Sequence, residues 1–403
     1  MKFQRLIDEL TIHAGLNGHY IVDGEIFFSK VYAMLKATEL NTDVEFHYYD
    51  DIFDQAKSRR HLAYTDLAEL YTQRAKQLRE CYDYLVLNYS GGSDSHNVLY
   101  TFLKNNIKLD CVFIQWPVSL VDKGVYNPNS ADTTNYNFHS EWDLVIKKDL
   151  EYLALYHPEI KIEIDDWTER VNDNFYGDHL FEKPVSHLPS IARSIKQNSF
   201  SKMEDTLLEA GKTVGNIFGV DKTFIVNQNN EWHFVFIDTG FMAMANPKNV
   251  NGLEYFYHTP LFPDIAVAQA YKMKGWFEQR TDKDYLVKLY DEKVKNISGY
   301  ANKSYKEVLD EYKEYCEIFK FICYPYWDFT RFQADKPFYD LHTELPLGVR
   351  PWDNILAAAL PNFARTQQVW THYWKSYLSK IDYRFRRSRD RDKPIRTKLF
   401  KID

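Results

Sequence analysis

The chain has 403 residues with 50 Lys and Arg against 57 Asp and Glu, a formal charge of −7, and an aromatic share of 16% drawn from 30 Tyr, 27 Phe and 9 Trp. That many large rings exclude a disordered or fibrous chain, because burying them offsets the ordering entropy that a polar low-complexity chain cannot recover. At roughly 100 to 200 residues per domain the length predicts two or three structural units. No segment approaches the ~18 apolar residues of a membrane span, and the opening MKFQRLIDEL is too charged for a signal peptide, so a cytoplasmic protein is expected. The four cysteines, Cys81, Cys111, Cys316 and Cys323, contain no CxxC pair and predict neither a disulfide framework nor a zinc ribbon.

Residues 1–80 read as a mixed, mainly helical region. Asp23-Gly24 predicts a tight turn, the apolar spacing from Phe27 to Leu40 a helix, and TDLAELYTQRAKQLREC over 65–81 an amphipathic helix capped by Thr65 or Asp66. Residues 81–246 change character. Tyr84–Tyr89 is a nearly unbroken apolar run, as in a parallel strand covered on both faces, and it leads through Ser90-Gly91-Gly92-Ser93-Asp94-Ser95 into helical spacing up to Lys104. Strands follow at 109–115 and 160–164 with a helix candidate at 140–156 between them, which predicts a parallel α/β sheet. Thr223–Val226 and His233–Ile237 flank a turn-rich stretch and predict a hairpin. Residues 247–403 read as a helical domain, with helices expected at 266–277, 285–294, 305–319 and 355–378 and a basic tail over 380–403.

The loop over 90–95 is the sharpest chemical signal. A glycine turn that leaves a buried strand and opens a helix gathers backbone N–H groups and the positive end of the helix dipole at one point. Gly91 and Gly92 can take positive φ and admit a phosphate close to the backbone, and the hydroxyls of Ser90, Ser93 and Ser95 add donors. Asp94 would repel a bare phosphate, so it is expected either to hold Mg²⁺ or to order the loop.

In its order and spacing, SGG-S-DS after a hydrophobic strand resembles the S-G-G-x-D-S loop of the PP-loop, or N-type, ATP pyrophosphatases, which include asparagine, GMP and NAD synthetases and tRNA-modifying thiolases. The layout also resembles the stand-alone asparagine-synthase-like proteins of bacteriophages and bacteria. The resemblance implies an adenine nucleotide alpha hydrolase-like (HUP) α/β fold, ATP and Mg²⁺ as cofactors, and cleavage between the α and β phosphates with the loop holding the pyrophosphate. It makes Asp94 a catalytic and metal-binding residue. Lys222, beside Gly219, either neutralises pyrophosphate or is a solvated hairpin lysine. Gln115 and Trp116 are candidates for the nucleotide, Asp165 and Asp166 weaker ones, and Asp238 a candidate metal ligand; for each a plain structural role stands beside the functional one.

Absences narrow the chemistry. The chain has no GxxxxGK[ST], no GxGxxG, no HExxH and no His pair at i,i+3 or i,i+4. Lys2 stands where a processed glutaminase would carry its cysteine, so an amide-forming member would need ammonia, another amine or a partner subunit. Together with these absences, the resemblance implies an ATP-dependent, AMP-forming ligase that adenylylates a carboxylate or carbonyl oxygen, releases pyrophosphate and transfers to a nitrogen nucleophile. The alternatives are a tRNA- or nucleobase-modifying enzyme and a nucleotide-binding module without turnover. Residues 380–403 carry ten Lys and Arg against four Asp, and the stretch from Arg384 to Arg391 could grip tRNA, fold back on the ATP site, or simply be solvated.

Overall fold

A computed structural model describes residues 18–28, 30–119, 142–166, 202–220, 222–238, 252–279, 320, 322–326, 379–388, 391–392 and 394–402. The N-terminal region opens with β1 (His19–Val22) and β2 (Glu25–Phe27), joined at Asp23 and Gly24 with φ of 50° and 80°, the left-handed pair that an Asp-Gly hairpin turn takes. α1 (Lys30–Leu40) follows, and β3 (Glu45–His47) pairs with the other side of β1. Helix and a small antiparallel sheet thus share the described part of this region, with helix the larger share, as a mixed, mainly helical region should. After α2 (Asp50–Ala56) comes α3 (Leu67–Cys81), capped by Asp66 accepting the Ala68 N–H at 3.0 Å. Its predicted face of Leu67, Leu70, Ala75 and Leu78 is buried, together with Tyr71 and Arg74.

The chain then lays down β4 (Tyr84–Asn88), α4 (Ser93–Lys104), β5 (Cys111–Gln115), α5 (Lys147–Tyr156), β6 (Lys161–Asp165), α6 (Lys202–Glu209), β7 (Val214–Phe218), the hairpin of β8 (Phe224–Gln228) and β9 (Glu231–Val235), β10 (Leu253–Tyr255) and α7 (Asp264–Glu278). Five of these strands form one all-parallel sheet in the order β10-β7-β4-β5-β6. Alternation sorts its side chains between two faces. Leu85, Leu87, Val112, Ile114 and Ile217 join the main core with α3, α4 and α7, while Val86, Cys111, Phe113 and Val214 pack under Leu207 and Leu208 of α6. This is the α/β architecture expected, with two differences. β7 and β10 were not read from the sequence, and β10 lies beyond the boundary expected at 246.

Both omissions have local causes. Gly215 interrupts β7 because a Cβ there would stand 2.7 Å from the Tyr82 ring, and Asn216 is buried with its amide donating to Glu204 at 2.8 Å. β10 is three residues long and contains Glu254, a charge that strand propensity disfavours. That carboxylate is paired: Arg74 of α3 donates to it at 2.5 Å and the Tyr82 hydroxyl at 2.6 Å. α3 is thereby fastened to β10 at the edge of the parallel sheet.

A second antiparallel sheet holds the C-terminus. After β11 (Arg386–Ser388) and β12 (Arg391–Asp392), which pair with each other, β13 (Phe400–Ile402) adds to the edge of β9. Phe400 is buried against Phe234, with ring centroids 4.9 Å apart, and Phe53 of α2 meets Phe236 at 4.5 Å. The rings that dominate the composition therefore clamp three distant stretches of chain together. The basic tail ends as a structural strand, with Lys398 paired to Asp54, Lys401 to Glu231 and Arg384 to Asp382. Of the helices expected after 247, only 266–277 lies within the described residues, as α7; those at 285–294, 305–319 and 355–378 lie outside them.

Asp110, just before β5, ties that strand to its neighbours. Its carboxylate accepts from the Leu85 N–H at 2.8 Å, from Arg79 at 2.5 Å and from Lys108 at 2.7 Å. Burial pushes the carboxyl pKa up, but the hydrogen bonds from Lys108, Arg79 and the Leu85 amide outweigh it and hold the group below its ordinary value. A depressed carboxyl pKa stabilises above the unfolded value of about 3.9 and loses that contribution as pH falls through the folded value. Wild type and Asp110→Asn are expected to differ by about 1–3 kcal/mol in urea unfolding at pH 7, a gap that closes below about pH 4. A gap independent of pH would contradict the assignment.

Candidate functional site

The sheet order reverses at β4. From there the chain steps outward through β5 and β6, then returns to place β7 on the other side. In open α/β sheets ligands bind at this crevice beyond the strand C-termini. β4 and β7 end side by side, with Asn88 opposite Phe218, and their following loops are the predicted 90–95 loop and Gly219–Thr223. A Cβ on Gly219 would lie 2.9 Å from the carbonyl carbon and oxygen of Asp94 and from Cα of Ser95. The second loop is thus pressed directly on the backbone of the first.

Within the first loop the two glycines do different work. Gly91 takes φ of +81° and faces Ile146, whose Cγ1 would be 2.7 Å from an added Cβ. Gly92 is extended at φ −69°, ψ 161° and serves as the N-cap of α4, so the left-handed freedom expected of both is used only at Gly91. No side chain caps α4. An uncapped start leaves the first-turn amides to be satisfied by water or an anion. The Ser95 hydroxyl, expected to be an outward donor, is instead tied into the loop: it accepts from the Ser90 N–H at 3.2 Å, lies 3.2 Å from the Ser90 hydroxyl, and is within 3.2 Å of the Gly92 carbonyl. Ser90 is exposed, whereas Ser93 is buried.

Asp94 is half-buried on the first turn of α4. Its carboxylate accepts from the Tyr324 hydroxyl, and its backbone carbonyl accepts from the Tyr257 hydroxyl at 2.8 Å. Burial drives the Tyr257 and Tyr71 phenols well above their ordinary pKa, so both remain protonated donors at any working pH. Behind them Tyr71 donates to the Cys323 carbonyl at 2.5 Å, Gln269 to Tyr71 at 2.8 Å, and the Thr223 N–H to Gln269 at 3.0 Å. This chain of bonds links the two loops through α3 and α7. Lys222, the residue before Thr223, is half-buried on the loop that touches Asp94 through Gly219.

The remaining candidates separate. Gln115 is half-buried at the end of β5, next to β4, and keeps its candidacy for the nucleotide. Trp116 is buried and stacked on Trp142 at 5.8 Å, which makes it a wall of the core more than a ligand surface. Asp165 ends β6 opposite Gln115, and Asp166 accepts the Ser119 N–H at 2.6 Å, a bond that ties the segment leaving β6 to the one leaving β5. Asp238 stands elsewhere. It is fully buried, with Lys30 at 2.8 Å, the Tyr20 hydroxyl donating at 2.9 Å and the Ile395 N–H at 3.1 Å. With an ammonium and two further donors on its oxygens, Asp238 has the surroundings of a structural counter-ion and not those of the metal ligand expected at this strand end. Among the described residues no group of three or more His, Cys, Asp and Glu is placed to hold a metal.

A second buried cluster went unread in the sequence. Asp149 of α5 accepts from the Tyr89 hydroxyl and, at 3.5 Å, from Tyr100, with His96 Nδ1 3.5 Å away. Tyr89 directly precedes the loop and His96 lies in the first turns of α4, so this cluster braces the loop from α5 just as Gly91 touches Ile146 there. Nothing in the sequence of α5, KKDLEYLALY, sets Asp149 apart from its charged neighbours. Among the described residues no helix is long and apolar enough to cross a membrane. Compared with known proteins, the chain matches no family, no curated protein and no solved structure.

Proposed function

We propose that the chain binds ATP at the β4–β7 crevice and cleaves it to AMP and pyrophosphate, in the manner of the PP-loop pyrophosphatases its loop resembles. The observation that carries this reading is the SGGSDS loop at the sheet's switch point, opening an uncapped helix and pinned by Gly219. The groups present suit a polyphosphate: the main-chain amides at the uncapped start of α4 and the exposed Ser90 hydroxyl are donors, while Gly91 and Gly219 let the two loops pack tightly on their neighbours. Mg²⁺ characteristically takes one or two carboxylates and completes its shell with phosphate oxygens and water, so Asp94 alone suits a metal shared with the nucleotide. Such a metal would neutralise charge on the phosphates.

In this reading a carboxylate or carbonyl oxygen of the substrate attacks the α-phosphorus, pyrophosphate departs toward the loop and Lys222, and a nitrogen nucleophile then displaces AMP. Fixed amides around the departing pyrophosphate supply electrostatic stabilisation without reorganisation. Gln115 lies where the nucleoside would cross the neighbouring strand. A tRNA substrate is the weaker reading, since Arg384, Lys398 and Lys401 are engaged by acidic side chains within the fold.

Incubation with α-labelled ATP, Mg²⁺ and a metabolite extract is expected to yield labelled AMP. Asp94→Ala should lower that yield by about a hundredfold or more, the loss that removal of one preorganised electrostatic group causes. Labelled ADP in place of AMP, or turnover unchanged in Asp94→Ala, would overturn the proposal.

A further inference from the structure

We infer that Tyr324 is a positioning residue for Asp94: its hydroxyl holds the Asp94 carboxylate in the orientation that receives a nucleotide-bound divalent cation. The inference rests on the ATP reading above and assigns to that site a residue 230 positions away in sequence.

Three features of the packing support it. The segment bearing Tyr324 is fixed on both sides: Tyr71 of α3 donates to the Cys323 carbonyl at 2.5 Å, the Tyr326 N–H donates to the Asn97 side-chain oxygen at 3.4 Å, and Asn105 donates to the Tyr326 hydroxyl at 3.2 Å. Asn97 and Asn105 both belong to the α4 side that follows Asp94, so the segment is docked along the same helix whose first turn carries the carboxylate. Second, burial is graded across the contact. Tyr324 is 1% exposed while Asp94 is half-buried, so the anchor lies deeper than the residue it holds. Third, two phenols grip this one residue. Tyr324 bonds the carboxylate and Tyr257 the carbonyl, their rings 5.4 Å apart. A phenol is a neutral donor and orients a carboxylate without itself cancelling the charge, as partners behind metal ligands commonly do.

Tyr257 provides the control, because it offers an equally buried hydroxyl to the same residue but to its backbone. Binding of α-labelled ATP is measured by equilibrium dialysis in EDTA and across a Mg²⁺ series, for wild type, Tyr324→Phe and Tyr257→Phe, with thermal midpoints for each. Tyr324→Phe is expected to raise the half-saturating Mg²⁺ concentration about tenfold while leaving binding in EDTA unchanged. Tyr257→Phe should lower the thermal midpoint by a similar amount without moving the Mg²⁺ series. Should the phenylalanine variant not fold, 3-fluorotyrosine at position 324, which alters only the strength of the donor, supplies the same readout, and an unmoved half-saturation counts against the role. A Mg²⁺ series identical in Tyr324→Phe and wild type, or an equal shift in Tyr257→Phe, overturns the positioning role while leaving the ATP reading intact. No ATP binding by wild type with or without Mg²⁺ overturns both.

Discussion

Asp238→Ala is expected to lower the unfolding free energy by about 3–5 kcal/mol, the cost of breaking a buried ion pair from one side. Lys30 and Asp238 are each fully buried with 2.8 Å between ammonium and carboxylate. Removing the carboxylate leaves a buried ammonium without that counter-charge, and it strips the Tyr20 hydroxyl and the Ile395 N–H of their acceptor as well. The damage should spread to the C-terminus, because Ile395 also accepts the Asp238 N–H at 2.9 Å and leads into β13. Hydrogen exchange at Phe400 and Ile402 is therefore expected to rise more than exchange in β4 or β5. Replacing the pair together, as Lys30→Met with Asp238→Leu, should recover much of the loss, since apolar residues of similar volume often substitute for a buried pair at little cost. A single-variant loss below about 1 kcal/mol in urea unfolding would show that the pair is not a hub of the fold.

The same residue shows where sequence reading ran out. Asp238 at the end of an apolar run resembles a ligand at a strand terminus, and nothing local distinguishes that from a counter-ion whose partner lies 208 residues earlier at Lys30. Local signals fared well where the physics is local. The Asp66 cap, the Asp23-Gly24 turn, the strand before Ser90 and the helix after it all depend on neighbours within a few residues, and their expected positions are those found. The hairpin of β8 and β9 belongs with them, its turn formed by Asn229 and Asn230 at φ of 55° and 63°. β7 and β10 escaped because their composition answers to distant contacts: Gly215 makes room for Tyr82, and Glu254 pairs with Arg74. The tail escaped for the opposite reason. Its ten basic residues left an RNA grip, a fold back on the ATP site and a solvated end all open, whereas alternate residues Phe400 and Ile402 are buried and make its end a strand.

For the candidate site the division is similar. The motif located Asp94 and its glycines, but the tyrosines that hold Asp94 come from positions 257 and 324, and no spacing rule links them to it. A deletion of the basic tail, the obvious test of an RNA grip, would also remove β13 from the core. Charge reversal at Arg386, Arg387 and Arg391, with tRNA binding followed against salt, leaves that strand in place.

The glycine that joins the two loops gives the largest expected effect on function. In Gly219→Ala the new Cβ would stand 2.9 Å from three backbone atoms of Asp94 and Ser95, and main chain cannot swing aside as a flexible side chain would. Neither residue can yield cheaply. Asp94 is held through its carbonyl by Tyr257, and Ser95 through its hydroxyl by Ser90 and the neighbourhood of Gly92. Either the first turn of α4 moves off the crevice or the β7 loop moves away from it, carrying Lys222. Overpacking of this kind costs about 1–3 kcal/mol, and a misplacement of about 1 Å in a positioned site costs about a hundredfold in rate. Gly219→Ala is therefore expected to lose about 1–3 kcal/mol of stability and about a hundredfold in AMP formation. Gly275→Ala makes the comparison clean: that glycine lies within α7 with nothing inside 4 Å of an added Cβ, so the same substitution should stabilise by about 0.5–1 kcal/mol and leave turnover unchanged. If Gly219→Ala bound ATP and released AMP as wild type does, the close approach of the two loops would have no part in the chemistry, and the crevice between β4 and β7 would lose its claim as the site.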